Sequence, residues 1–308
     1  MRKTACKYVY IILIFSAGYP LIFPDFSLSG ENNNIAIVVS KKIRPYLNVL
    51  EGITDSITQG SNRIKDLNKL EVFFLSNSER DNNKIHFFLL TGEYDLLVAV
   101  GPEAAELVWA VNGQLKPSKI YTAILNPGNI IKTHFKPCGI SLRIPVQTQI
   151  KEIAYSFPEI KRIGLIFNAD YNQWFYEKAS NAANIHGITI IPLDVDSKSQ
   201  IPKVIKDNWK LIDCIWMIPD RTVISEKIIQ YIIKQGIYNN KGVIGYNSFF
   251  IRSGAFFAFQ FDYRRLGTQT GEQIELYLKN GLCSHNSPLF NKIINYKIAL
   301  KIGIAPKF

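Results

Sequence analysis

The sequence predicts an α/β protein built as two lobes, each around its own parallel sheet. Three observations lead there. Short strands such as Ile35 to Val39, Asp95 to Val100, Arg162 to Phe167, Cys214 to Ile218 and Gly242 to Gly245 are apolar almost throughout. They lack the alternation of a sheet with one wet face, so both faces are expected to be buried. Helical patterns separate them, including Pro45 to Gln59, Tyr171 to His186 and Val223 to Gly236, which is the signature of βαβ units. The pattern then runs twice, with about five units in each half.

The elements come in order. Residues 1–29 read as a secretory leader: Arg2, Lys3 and Lys7 precede an uncharged stretch from Tyr8 to Ala17. Small residues at Ser27 and Ser29 suit cleavage before Gly30, and Ser16 with Gly18 offers a second point. A buried N-terminal strand or an uncleaved anchor is the competing reading. Glu31 to Asn34 is a polar linker. Ile35 to Val39 is the first strand, and the helix after it closes at Gly60. Glu71 to Leu75 is a second strand, and His86 to Leu90 lie on a helix that closes at Gly92. The third strand, ending at Val100, meets Gly101-Pro102, where proline suits a first helical turn. Lys119 to Leu125 ends at Asn126-Pro127-Gly128. Gly139 to Ile144 is extended and leads to Pro145, the expected crossing into the second lobe. After Asp262 comes Leu266 to Gln273, then Ile274 to Leu278 as a helix that ends at Asn280-Gly281, and Phe290 to Ile304 reads as an edge strand and a short turn. The expected boundaries are 30–144 with 263–308 for lobe 1, and 145–262 for lobe 2.

Composition excludes several classes. The chain has 308 residues, 47% hydrophobic and 20% charged, the profile of an ordinary globular protein. Its formal net charge is +11, but Lys and Arg are spread along the chain with no run longer than a pair. Nucleic-acid binding needs that charge gathered, so no nucleic-acid partner is expected. Cys6, Cys138, Cys214 and Cys283 form no metal-ligand spacing with the four histidines, so no metal and no cofactor are expected. Cys214 lies inside an apolar strand as a core residue. Cys138 and Cys283 are free to pair in an oxidising compartment.

Phe157-Pro158-Glu159-Ile160-Lys161-Arg162-Ile163-Gly164-Leu165-Ile166-Phe167-Asn168 carries a family likeness. So does Phe261-Asp262-Tyr263 with Leu266-Gly267 close behind it. Val98 to Ala105 and Pro219 to Val223 fill two further strand-end positions. These stretches resemble the substrate-binding proteins of ATP-binding-cassette importers, in the subfamily associated with tryptophan and tyrosine uptake. The resemblance covers roughly residues 35–304. It implies the type I periplasmic binding protein fold, with two Rossmann-like lobes joined by three crossing segments. The chain departs from the family pattern at Pro102, where a hydroxyl is usual. It departs again at Asn126-Pro127, where aspartate-proline is usual, and at Tyr246-Asn247-Ser248, where an acidic cluster is common.

In such sheets ligands bind beyond the carboxyl ends of the strands. Nine residues there form the expected ligand set: Glu103, Asn126, Asn168, Tyr171, Trp174, Asp220, Tyr246, Asn247 and Asp262. Asp220 either accepts a hydrogen bond from a ligand or caps the turn at Thr222-Val223. The three asparagines either face a polar ligand or close local turns. Tyr171 and Trp174 either stack on a flat ligand or pack locally. Glu103 sits in a first helical turn, favourable with or without ligand. Enzyme motifs are missing: the sequence has no G-x-S-x-G elbow, no P-loop and no H-E-x-x-H. The expected role is a secreted, monomeric solute-binding protein, periplasmic or extracellular and without a lipoprotein cysteine. It would deliver an amino-acid-like or other polar or aromatic solute to a membrane permease. The alternative is a ligand sensor that partners a membrane receptor such as a histidine kinase.

Overall fold

Strands that are apolar on both faces need helices on both faces, and the chain supplies them twice. The computed structural model describes residues 33–59, 63–112, 117–133, 136–284 and 286–307. The expected leader over 1–29, Cys6, the helix end at Gly60, His134 and His285 lie outside the described residues.

The first sheet has the order β2-β1-β3-β4-β5 and is parallel throughout. Its strands are β1 (Asn33–Val39), β2 (Leu67–Phe74), β3 (Leu96–Val100), β4 (Ser118–Ile124) and β5 (Cys138–Ser141). Successive residues of β1 serve opposite faces, as strand geometry requires. Ile35, Ile37 and Val39 join the core under α1 (Arg44–Thr58). Ala36 and Val38 join the core under α2 (Glu79–Thr91) and α3 (Pro102–Ala110). In β4 the register slips between Thr122 and Ile124, and Ala123 there has φ of 59°. A bulge of this kind bends a strand and re-aims the residues beyond it, here Leu125, Asn126 and α4 (Pro127–Ile130).

The second sheet has the order β11-β10-β9-β8-β6-β7. Its strands are β6 (Arg162–Phe167), β7 (Thr189–Asp194), β8 (Cys214–Met217), β9 (Gly242–Gly245), β10 (Phe257–Phe261) and β11 (Phe290–Ile294). All are parallel except β11, which pairs antiparallel with β10. One face packs on α5 (Val146–Ser156), α6 (Ala169–Ile185) and α11 (Tyr296–Lys301), where Phe157 sits edge-on to Phe256 and Phe257 at 4.9 and 5.1 Å. The other face packs on α7 (Ile201–Asn208), α8 (Glu226–Tyr238) and α9 (Ser248–Arg252).

The long helix α10 (Tyr263–Asn280) returns from β10 to the first lobe and lies on α1. Their backbones touch. A Cβ on Gly267 would come within 2.1 Å of the Val49 carbonyl oxygen, and one on Gly52 within 2.1 Å of the Arg264 carbonyl oxygen. The Thr270 hydroxyl, fully buried, lies 2.9 Å from that of Thr122 and ties α10 to β4. Cys138 and Cys283 are joined in a disulfide, which staples β5 to the segment after α10.

The structure differs from the sequence reading in several places, each with a clear cause. The sequence pattern groups residues 263–308 with lobe 1 as a whole, but β11 and α11 belong to the second sheet and its core. The chain crosses between lobes three times, at 142–145, at Asp262 and between α10 and β11, and an odd number of crossings must end it in the second lobe. The helix expected from Val223 starts at Glu226, because Ser225 caps it and residues 221–223 form a turn. The helix α10 starts at Tyr263, capped by Asp262. The strand β7 escapes the sequence reading because it contains Pro192, which is tolerated at the edge of a sheet.

Candidate functional site

The strand ends of both sheets converge on one cleft of about 600 Å³. That size suits a small organic solute. From the first lobe come Leu125 and Asn126 beyond β4, and Asn129 on α4. Leu142, Arg143 and Ile144, on the first crossing, line it next. The second lobe supplies Tyr171, Asn172 and Trp174 on α6, Ile218 and Pro219 beyond β8, and Tyr246 and Asn247 beyond β9. Phe259, Phe261 and Tyr263 close it where β10 passes into α10.

Arg143 bridges the lobes. Its Nη2 donates to Oδ1 of Asn126, and its guanidinium lies 4.5 Å over the Trp174 ring. Desolvation by the cleft walls lowers its pKa from the usual arginine value, though arginine remains charged at any physiological pH. Arg221 covers the Tyr171 ring in the same way, also at 4.5 Å. Burial, and then the negative charge of Asp220, pushes the Tyr246 phenol up to about 12. Burial also raises the Tyr263 phenol.

Asp220 does not face the cleft. Its side chain is 1% exposed, and its carboxylate accepts from four protein donors. These are the backbone N–H groups of Asn168 (2.9 Å), Thr222 (2.8 Å) and Val223 (3.3 Å) and the side-chain amide of Asn172 (2.6 Å). The pull on Asn172 coincides with an interruption of α6, where Asn172 has φ of −132° and ψ of 18°. Tyr171 and Trp174 flank that interruption, so Asp220 shapes the wall it does not touch. Asn168 belongs to the same buried network: it caps α6 through Asp170 N–H and donates to the Thr222 hydroxyl.

Residues 34–307 match the family of ABC transporter substrate binding proteins. The chain belongs to that family. Solved relatives show the same type I periplasmic binding fold. A domain from Streptococcus pneumoniae in complex with L-Trp is 21% identical, with 89% of this chain and 96% of that one covered and a TM-score of 0.57. A ligand-free, open substrate-binding protein with adhesive properties from Clostridium difficile is 18% identical, with 89% and 95% covered and a TM-score of 0.71. A conserved domain protein from Vibrio cholerae is 19% identical, with 90% and 96% covered and a TM-score of 0.56. No curated protein sequence matches the chain.

Within this substrate-binding protein, the nine sequence-derived candidates divide. Asn126, Tyr171, Trp174, Tyr246 and Asn247 line the cleft, with Asn247 also capping α9 through Phe249 N–H. Asn168 and Asp220 are engaged internally, and Asp262 caps α10 by accepting from Arg265 N–H. Glu103 forms an ion pair of 2.6 Å with Lys41. Its burial raises the carboxyl pKa, but hydrogen bonds and charge from Lys41, its own backbone and Ser40 outweigh that and hold it below the usual value. The sequence reading misses Arg143, Asn129, Asn172 and the β10 aromatics. Among the described residues no helix is long and apolar enough to cross a membrane, and no group of three or more His, Cys, Asp or Glu could hold a metal.

Proposed function

We propose that this chain captures a small aromatic or polar solute in the cleft and presents it to the permease of an ATP-binding-cassette importer. It does so outside the cytoplasmic membrane, as a monomer and without chemistry on the solute. The observation that carries the reading is the cleft itself: both lobes contribute to its walls, and three crossing segments join them. A ligand that touches both walls favours the closed arrangement by the contacts it gains there. The walls combine aromatic rings with amide side chains, a surface that grips a flat ring and orients its polar groups.

A melting-point screen against amino acids, aromatic acids, purines and short peptides tests it. One class should raise the melting point in proportion to ligand concentration, as mass action requires. Small-angle scattering should then show a smaller radius of gyration with that ligand. A protein that no solute in the screen stabilises would sink the proposal. For transport, deletion of the gene should abolish uptake of the same solute by intact cells.

A further inference from the structure

We propose that the cleft selects flat aromatic solutes that bear a carboxylate and no ammonium group, with Arg143 as their charge partner. This rests on the solute-capture reading and goes further by naming the chemical class.

Among the described residues lining the cleft, Arg143 carries the only formal charge at neutral pH. It makes no ion pair among the described residues. Its one hydrogen bond there goes to the neutral side chain of Asn126, and its flat face rests on Trp174. A guanidinium has five N–H donors in a fixed fork. The other donors, without a partner among the described residues, can take a carboxylate, with the solute ring against other aromatic residues of the wall such as Tyr246, Phe259 and Phe261.

An ammonium group finds no counterpart. No carboxylate lines the cleft, and the three among the sequence-derived candidates are already engaged. Asp220 is saturated by its four donors, Asp262 holds the start of α10, and Glu103 is neutralised by Lys41. One Glu103 oxygen has no hydrogen-bond partner among the described residues, but Glu103 is not part of the cleft wall, and Lys41 sits 2.6 Å from its other oxygen. Aromatic faces are the other home for a cation. Those of Trp174 and Tyr171 already carry Arg143 and Arg221, each at 4.5 Å, and Lys178 lies 5.5 Å from the Trp174 ring. A ligand ammonium would enter beside Arg143 and meet no carboxylate on the wall, only amides, phenols and the rings of Phe175, Phe259 and Phe261. Both features of the wall thus favour the anion and disfavour the zwitterion.

Calorimetric titration of the intact protein with two matched series tests this. One series is 3-(indol-3-yl)propionate, L-tryptophan, tryptamine and 3-methylindole; the other is 3-phenylpropionate, L-phenylalanine, phenethylamine and toluene. In at least one series the propionate should bind tenfold or more tighter than its amino-acid and amine counterparts. Arg143→Gln should then weaken the propionate by about ten- to hundredfold, the worth of a lost charged hydrogen bond. The propionate-to-neutral affinity ratio should collapse toward one, while Arg143→Lys keeps part of the preference. Melting curves of both variants show whether they are folded. An amino acid that binds as tightly as its propionate, or an Arg143→Gln ratio equal to that of the parent, overturns the inference and leaves solute capture standing. Failure of every compound in both series overturns the inference too. Solute capture itself then stands or falls on the wider melting-point screen.

Discussion

Replacing Asp220 by alanine separates a ligand-binding acid from a structural clamp. The carboxylate is 1% exposed and serves four donors, of which the N–H groups of Asn168 and Val223 are buried. A hydrogen bond to a charged group nets about 1.5–3 kcal/mol, and a buried donor left without a partner costs a similar amount. The four bonds share one acceptor and do not add. A loss of about 3–5 kcal/mol is therefore expected, the range for breaking a buried charge away from its partners. For a domain of this size that is a fall in melting temperature of roughly 6–20 °C. The assay is a melting curve of the ligand-free protein, backed by urea unfolding. The loss should appear without any ligand, because every partner is the protein's own. A ligand-free melting point within about 2 °C of the parent would refute the clamp. It would return Asp220 to the ligand-binding groups.

Three further outcomes rest on the packing and the chemistry. A methyl added at Gly267→Ala would lie 2.1 Å from the Val49 carbonyl oxygen and 2.9 Å from the Gly52 Cα, so α1 and α10 must part. A loss of about 1–3 kcal/mol is expected in urea unfolding, and parental stability would contradict the close contact. The Cys138–Cys283 disulfide spans a sequence separation of 145, and a loop that long is worth about 5 kcal/mol in the chain-entropy model. Reductant, or the Cys138→Ser, Cys283→Ser double variant, should lower the melting point by the same amount, and identical melting with and without reductant refutes it. With the Tyr246 phenol at about 12 in the folded state and near 10 when unfolded, the folded state retains a proton that the unfolded chain releases. Stability should hold below about pH 10 and fall from there to about pH 12, and Tyr246→Phe should flatten that slope.

The fold was legible because it depends on periodicity. Ile35 to Val39 and Arg162 to Phe167 announce buried parallel strands by their unbroken apolar runs, and the structure buries nearly all of them. The features that sequence pattern does not carry are set by tertiary context. Nothing in Phe290 to Ile294 says which sheet the tail joins. The partner is chosen by the free edge of β10, and the antiparallel pairing to Phe257–Phe261 decides it. The start of α10 is hidden because Gly267 and Gly271 look like helix breakers. They stand in the helix as glycines because α1 approaches too closely for side chains there.

The site was half legible, and the division has one physical cause. Asn and Asp at a strand end can serve the neighbouring loop or the ligand, and sequence position is the same in both cases. The deciding factor is whether adjacent strand ends present N–H groups to them. At the end of β8, Asp220 finds the N–H groups of Asn168, Thr222 and Val223 and turns inward. At the end of β4, the bulge at Ala123 swings Asn126 out to meet Arg143 instead. Arg143 itself gave no signal, since a single arginine between Leu142 and Ile144 belongs to no motif. Its importance arises only where the chain changes lobes, because a residue on a crossing can hold one partner from each side. Asn126 belongs to the first lobe and Trp174 to the second, so any rotation between lobes must alter at least one of the two contacts. A ligand carboxylate bound to the same guanidinium therefore senses the lobe angle directly, and its affinity cannot be independent of closure.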